Sequence, residues 1–334
     1  MKKLFSIMLA LTTLVACSNT ATSSTDAPAS ASAETPTTAE SAASSEESKA
    51  YKIGFAFMSL SDTSIAVIRD DAQKRCDELG YTLVVGDAGG DPAKQISDVE
   101  TMIIQGVDAI VVQCVDADAL KSTLEDAQSK GIKILSFGMD SGVYDAFYVC
   151  DNKAVGTAVG EMVADFINNE LNGEAEVAVL EMGLGMANTN ERDAAVKETI
   201  TSLAPNAKIV GVAAALDTPG ALDAVESLLQ ANPNISVVAT LTDGAALGAA
   251  QAMEASGKDP AKTAVFGSDI SAVGAEEMIN GKGFYKGSTD VDSLVLGIRC
   301  VDLATSLIEG TQTETIIPMN VDKIDASSAS TFVK

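Results

Sequence analysis

The chain has 334 residues, is 46% hydrophobic and carries 47 acidic against 22 basic side chains, a formal net charge of −25 at pH 7. That composition is ample for a sizeable core, and the charge argues against nucleic acid and anionic membrane surfaces as partners. Histidine is absent, which excludes His-dependent triads, histidine-ligated metals and histidine pH switches. Residues 1–17 open with Lys2 and Lys3, continue through an apolar run from Leu4 to Val15 and close on Leu14-Val15-Ala16-Cys17. A charged start, an apolar core too short to span a bilayer and small residues before a cut describe a secretory signal. Residues 18–50 are almost entirely Ser, Thr, Ala, Glu and Pro, with neither aromatics nor apolar periodicity, and are expected to be a disordered tether.

About 280 residues follow, more than the ~100 to 200 of a usual domain, so two lobes are expected. Residues 52–57, Lys-Ile-Gly-Phe-Ala-Phe, form a short apolar run suited to a buried parallel strand. In the loop after it, Asp62 or Thr63 is placed to cap a helix over 64–79, where Ile65, Ile68, Ala72, Cys76 and Leu79 share one face and Gly80 ends it. The unit then repeats. Strands are predicted at 82–86, 109–114, 133–137 and 147–150, with helices at 91–105, 117–130 and 153–171. In the second half, strands at 176–181, 208–213, 237–242, 264–268 and 284–288 alternate with helices at 191–203, 221–231, 245–256 and 272–280, before a last helix at 293–309. Continuous rather than alternating apolar strands favour parallel sheets covered on both faces, hence an α/β fold of two doubly wound lobes. In such sheets the loops at the strands' carboxyl ends line the ligand crevice, which makes 59–64 the first candidate wall.

Cys76, Cys114, Cys150 and Cys300 are scattered without a Cys-x-x-Cys pair and read as free thiols, so no metal site is expected. Gly183-x-Gly185-x-x-Asn188 lacks the third glycine of a dinucleotide fingerprint and reads as a flexible cleft loop. No cofactor is expected.

Two resemblances add to this reading. Leu14-Val15-Ala16-Cys17 resembles a bacterial lipobox, which implies cleavage after residue 16, a lipid on Cys17 and a protein held outside the cell membrane by that anchor alone. The alternative is an ordinary signal peptide with a chance cysteine. In the folded part, Asp71-Ala72-Gln73, Leu79-Gly80-Tyr81, Asp91-Pro92-Ala93-Lys94-Gln95, Gly106-Val107-Asp108-Ala109-Ile110-Val111-Val112 and Gly131-Ile132-Lys133-Ile134 are followed by Asp151-Asn152-x-x-x-Gly156, Leu247-Gly248-Ala249 and Phe266-Gly267-Ser268-Asp269. In this order and spacing, residues 51–324 resemble the ribose-binding-protein type of ABC-transporter solute-binding proteins.

That resemblance implies a type I periplasmic binding protein, with two doubly wound parallel-sheet lobes joined by a three-crossing hinge near 151, 291 and 319. Lobe I would be 51–151 plus 291–318, and lobe II 152–290 plus 319–334. A small polar solute, in first place a monosaccharide, would close the lobes, and a membrane permease would recognise the closed monomer. No bond is made or broken, so no enzyme is expected. The alternatives are a sensory receptor of the same fold and a binding protein for a nucleoside, polyol or amine.

The resemblance also implies ligand positions. In the first loop these are Asp62, whose other role is the helix cap, and Ser64 and Ile65, which stand where the family carries aromatic rings. Asp140 is the equivalent of an aspartate after the strand at 133–137. Arg192 occupies the position of a ligand arginine, with a solvated helix arginine as the alternative. Leu216 replaces another aromatic ring, Thr242 and Asp243 end the strand at 237–242, and Asp269 ends the strand at 264–268 or caps the next helix. At the second crossing Asp290 is preferred to Asp292. Carboxylates accept charge-assisted bonds from hydroxyls, and a guanidinium offers directed donors. With no Trp in the chain, aliphatic side chains together with Phe57, Phe137 or Met139 are expected to pack on the ligand's apolar face.

Overall fold

The computed structural model describes residues 49–61, 63–185 and 187–333, with the side chains of Thr63, Ser64, Ala187 and Asn188 excepted. Cys17 with its signal, most of the tether, Asp62 and the Ser64 side chain therefore lie outside the described residues. In chain order the first elements are β1 (Lys52–Phe57), α1 (Thr63–Leu79), β2 (Thr82–Asp87), α2 (Pro92–Ile104), β3 (Ala109–Val112), α3 (Ala117–Ser129), β4 (Lys133–Phe137) and β5 (Ala146–Val149). Then come α4 (Asn152–Glu170), β6 (Glu176–Glu181), α5 (Ala187–Leu203), β7 (Lys208–Ala214), α6 (Thr218–Ala231), β8 (Ile235–Thr240), α7 (Asp243–Ala255), β9 (Ala264–Phe266), α8 (Ala272–Asn280) and β10 (Tyr285–Asp290). The chain finishes with α9 (Leu296–Glu309), β11 (Ile316–Pro318), β12 (Asp322–Asp325) and a 3₁₀ turn over Ala329–Phe332.

Two six-stranded sheets result, in the orders β11-β5-β4-β3-β1-β2 and β12-β10-β9-β8-β6-β7. All pairs are parallel except β10 with the edge strand β12. Both faces of each sheet are covered, as apolar runs in parallel strands demand. On one face of the first sheet Ile53, Phe55 and Phe57 pack with Ile65 and Ile68 of α1 and with Cys300, Val301 and Ala304 of α9. On its other face Ile110 and Val112 meet Met102 of α2 and Leu120 and Leu124 of α3. The second sheet is sandwiched in the same way. Val177 and Val179 face Val159, Val163 and Val196 of α4 and α5, while Ala178 and Leu180 face Val225, Ala249 and Met253 of α6 and α7.

The chain passes between the sheets three times, from β5 into α4, from β10 into α9 and from β11 into β12. The α/β architecture read from the sequence is this one. Three differences have local causes. α6 starts at Thr218 rather than 221, because Asp217 accepts from Gly220 N and Pro219 sits in the first turn, where its missing N–H costs nothing. β8 spans Ile235–Thr240 rather than 237–242, because Thr242 is the N-cap of α7 and accepts from Ala245 N. The edge strands β11 and β12 are short, β12 has no apolar run, and Pro318 in β11 is tolerated because its strand lies at an edge.

Cys76, Cys114, Cys150 and Cys300 are free thiols. Burial pushes the Cys76 thiol up to about 11, so it is inert at neutral pH.

Candidate functional site

The carboxyl ends of β5 and β10 lead into crossings, so the loops beyond them bring parts of both sheets together. Arg192 stands in the first turns of α5, which lies tightly against α4: a Cβ added to Gly156 would sit 2.4 Å from the Arg192 carbonyl. Only 5% of Arg192 is exposed. Its Nε donates to Asn152 Oδ1 at 2.9 Å, and its Nη1 donates to Asp269 Oδ2 at 2.6 Å and Ser268 Oγ at 3.1 Å. Nη1 also reaches the Leu241 carbonyl at 3.4 Å, and Nη2 lies 3.7 Å from Cys150 Sγ. Burial works to lower the arginine's pKa, and the Asp269 carboxylate outweighs it, so the guanidinium is held charged.

Asp269 has φ +58°, a left-handed conformation that Asp tolerates better than most residues. That turn leaves its side chain 45% exposed while one carboxylate oxygen is anchored on Arg192. An exposed acceptor is thus held rigid by a buried cation.

Asp243 is engaged differently. It is buried at the start of α7, where Oδ1 accepts from Tyr285 OH at 2.8 Å and Oδ2 from Ser271 Oγ at 2.5 Å. Burial, seconded by the nearby charge of Asp269, raises its pKa above the ordinary carboxylate value. Ser271 in turn caps α8 by accepting from Gly274 N, so Asp243 braces the segment that carries Asp269. Gly274 is required here, because a Cβ would lie 1.9 Å from Asp243 Oδ1. Thr242 Oγ1 caps α7 and donates to the Leu216 carbonyl at 2.7 Å, while the Leu216 side chain is exposed.

At the second crossing Asp290 is buried and accepts from Ser293 N at 3.2 Å and from Ser293 Oγ; burial raises its pKa. Asp292, also buried, accepts from Tyr148 OH and from both nitrogens of Asn320. On the first sheet, Asp140 is exposed in the loop after β4 and closes a local turn by accepting from Gly142 N at 2.7 Å. Ile65 is buried in the core between β1, α1 and α9.

The structure therefore brings Arg192 and Asp269 into direct contact, joins Thr242 to Leu216, and sets Asp243 behind the Asp269 segment. Asp140 and Ile65 belong to the other sheet, and Asp290 to the hinge. Phe57 and Phe137, expected as packing surfaces for a ligand, are 1% and 3% exposed in the core, which corrects that expectation. Among the described residues of these loops, Met139, Leu184, Leu216, Leu294 and Val295 are exposed apolar side chains. Sequence reasoning missed Ser268, Tyr285 and Asn320 as partners. Asn152 and Ser268 stand in the motifs Asp151-Asn152-x-x-x-Gly156 and Phe266-Gly267-Ser268-Asp269, but nothing in either motif displays their bonds to Arg192.

A family model described as a periplasmic binding protein domain matches residues 53–312. A ribose import binding protein of Haemophilus influenzae is 28% identical over 283 residues, covering 85% of this chain and 94% of that one. A ribose import binding protein of Bacillus subtilis is 30% identical over 219 residues, covering 65% and 70% respectively. Among solved structures, a Mycobacterium smegmatis protein in complex with β-D-fucofuranose superposes with a TM-score of 0.63 at 26% identity, covering 84% of this chain and 93% of that one.

Proposed function

This chain belongs to the periplasmic binding protein family, and from that premise we propose that it is the extracytoplasmic receptor of an ABC importer. It takes a small polar ligand, in first place a monosaccharide, between lobe I (51–151 plus 291–318) and lobe II (152–290 plus 319–334). It is not an enzyme; its relatives are solute-binding proteins. Residues 1–16 serve as the signal, Cys17 carries the lipid, and the segment to residue 50 gives the folded part reach from the membrane to a permease. The receptor acts as a monomer. Differential affinity of the ligand for the closed state drives the lobes together.

The observation that carries this reading is the Arg192–Asp269 pair. Its buried guanidinium and half-exposed carboxylate form a preorganised acceptor for ligand hydroxyls, on a loop braced from behind by Asp243. Asp140 supplies a second carboxylate from the opposite sheet, and Asp62, Ser64, Thr242, Leu216 and Asp290 complete the proposed contacts or their support. A second reading, a nucleoside, polyol or amine as ligand, is favoured by one observation: among the described residues of these loops the exposed large apolar groups, Met139, Leu184, Leu216, Leu294 and Val295, are all aliphatic.

A thermal-shift screen against pentoses, hexoses, polyols, nucleosides and small amines tests both readings, because a ligand that binds only the folded state raises the midpoint. A pentose or hexose shift is the expected result. A hit confined to nucleosides or amines discards the sugar and keeps the receptor.

A further inference from the structure

Both carboxylate oxygens of Asp292, a residue of the second crossing, are engaged by the protein itself, and the donors come from β5, the strand that enters the first crossing, and from the third crossing. Tyr148, wholly buried, lies in β5, the strand that leads into the first crossing, and its hydroxyl donates to Asp292 Oδ2. Asp292 stands in the second crossing, two residues beyond β10. Asn320 lies in the third, between β11 and β12; its backbone N donates to Asp292 Oδ2 at 2.9 Å and its Nδ2 to Oδ1 at 3.1 Å. The carboxylate is 6% exposed, and its backbone has φ +53°. A non-glycine residue in that region is strained and persists only where its surroundings over-determine it. Here the side-chain bonds do so. Burial and the Asp292 carboxylate also raise the Tyr148 pKa, which keeps the phenol a donor throughout the neutral range.

We propose that Asp292 is the pin of the hinge: a positioning residue that fixes the axis about which the lobes turn and touches no ligand. Its neighbour Asp290 is tied only locally, to Ser293, so the two hinge aspartates have different roles. The inference rests on the reading of the chain as a two-lobed closing receptor, and it adds where the closing motion is constrained. Three crossings without a common fastening can bend independently. One buried carboxylate in the second crossing, bonded to the third crossing and to the strand that enters the first, couples their bending, which narrows the closed geometries a ligand meets and reduces the ordering that binding must impose.

The test measures the hinge without any ligand. Nitroxides on Lys121→Cys and Ser227→Cys, exposed positions on α3 and α6, report the interlobe distance distribution by pulsed electron resonance in the full chain; the chain without these substitutions gives the background from its native cysteines, Cys17 and Cys150 included. Asp292→Asn keeps the size of the side chain but turns an amide N–H toward one of the donors. Tyr148→Phe keeps the ring and removes a single donor. The expected result is a single narrow distribution in the parent and loss of that narrowness in both variants while their circular dichroism shows them folded. A distribution as narrow as the parent's in folded Tyr148→Phe and Asp292→Asn, even with a lower unfolding midpoint, reduces Asp292 to a merely structural residue and overturns the proposal. Because no ligand enters the measurement, a failed sugar screen and a failed pin are distinguishable.

Discussion

Arg192→Ala is the perturbation whose size the structure determines most directly. The substitution removes a buried guanidinium, takes the donor from Asn152 Oδ1 and leaves Asp269 Oδ2 with the longer 3.3 Å contact from Ser268 Oγ. Ser268 Oγ keeps its bond to the Leu241 carbonyl at 2.7 Å and is less affected. Breaking a buried ion pair costs ~3 to 5 kcal/mol, and the lower end applies here, because the freed Asp269 carboxylate is already 45% exposed and regains water. A loss of about 3 kcal/mol corresponds to a fall in midpoint of roughly 5 °C for a folded part of about 280 residues, at ~2.1 cal/mol/K of unfolding entropy per residue. Thermal and urea unfolding of the parent, Arg192→Ala and Arg192→Lys provide the measurement. Lysine keeps the charge for Asp269 but cannot span Asn152 and Ser268 at once, so its midpoint should lie between the other two. Ligand affinity, read by calorimetry with the compound that the screen returns, should fall roughly tenfold in Arg192→Ala, since Asp269 loses its anchor. A midpoint within ~2 °C of the parent would refute the reasoning, because a buried charged pair of this geometry cannot be removed so cheaply.

Three further outcomes are expected. Gly156→Ala places a methyl 2.4 Å from the Arg192 carbonyl and must wedge α4 from α5, costing roughly 1 to 3 kcal/mol by urea unfolding; parental stability would show that the helices are not in that contact. The raised folded pKa of Asp243 means that the folded state takes up a proton more readily than the unfolded one, so its contribution to stability declines as pH rises from the ordinary 3.8 through the raised value. Asp243→Asn removes that slope, and its stability relative to the parent should increase with pH across this window; a pH-independent difference in urea midpoints would contradict the assignment. Cys17→Ser should abolish incorporation of a labelled fatty acid and release the protein or leave it as precursor, whereas normal membrane retention would overturn the lipid anchor.

Most of the architecture was legible because most strands are short apolar runs and several helices have their own start residues. Asp91, Asp116, Asp151 and Asp217 each accept from a backbone N–H in the first turn that follows, a local relation that a sequence displays. The edge strands β11 and β12 escaped for the converse reason: an edge needs little apolar surface, and their places are set by partners far along the chain. The site was legible as residue types and positions but not as partnerships. Arg192 and Asp269 are separated by 77 positions, and nothing in either neighbourhood says that two residues suited to a ligand bond first to each other. Ile65 has the spacing both of a core residue and of the family's ring position, and only packing against Phe57 and Val301 shows which surface it serves. Asp290 and Asp292 were indistinguishable by type; the hydrogen bonds of Tyr148 and Asn320 separate them.

These partnerships also bear on ligand class. Had Arg192 presented its guanidinium to the cleft, carboxylates and phosphates would have been natural ligands, since bidentate recognition of such groups is what arginine does best. Its Nε and Nη1 are instead bonded to Asn152, Asp269 and Ser268, and what reaches solvent from that cluster is the Asp269 carboxylate. On the proposed reading the opposite sheet adds Asp140, again an acceptor. A cleft that offers carboxylates and aliphatic edges selects a ligand rich in donors and free of negative charge. Sugars, polyols and amines meet that description, and an anionic solute would set its charge against Asp269 and Asp140 with the nearest arginine already committed. On this reasoning a sugar phosphate or sugar acid should give no thermal shift where the parent sugar gives one.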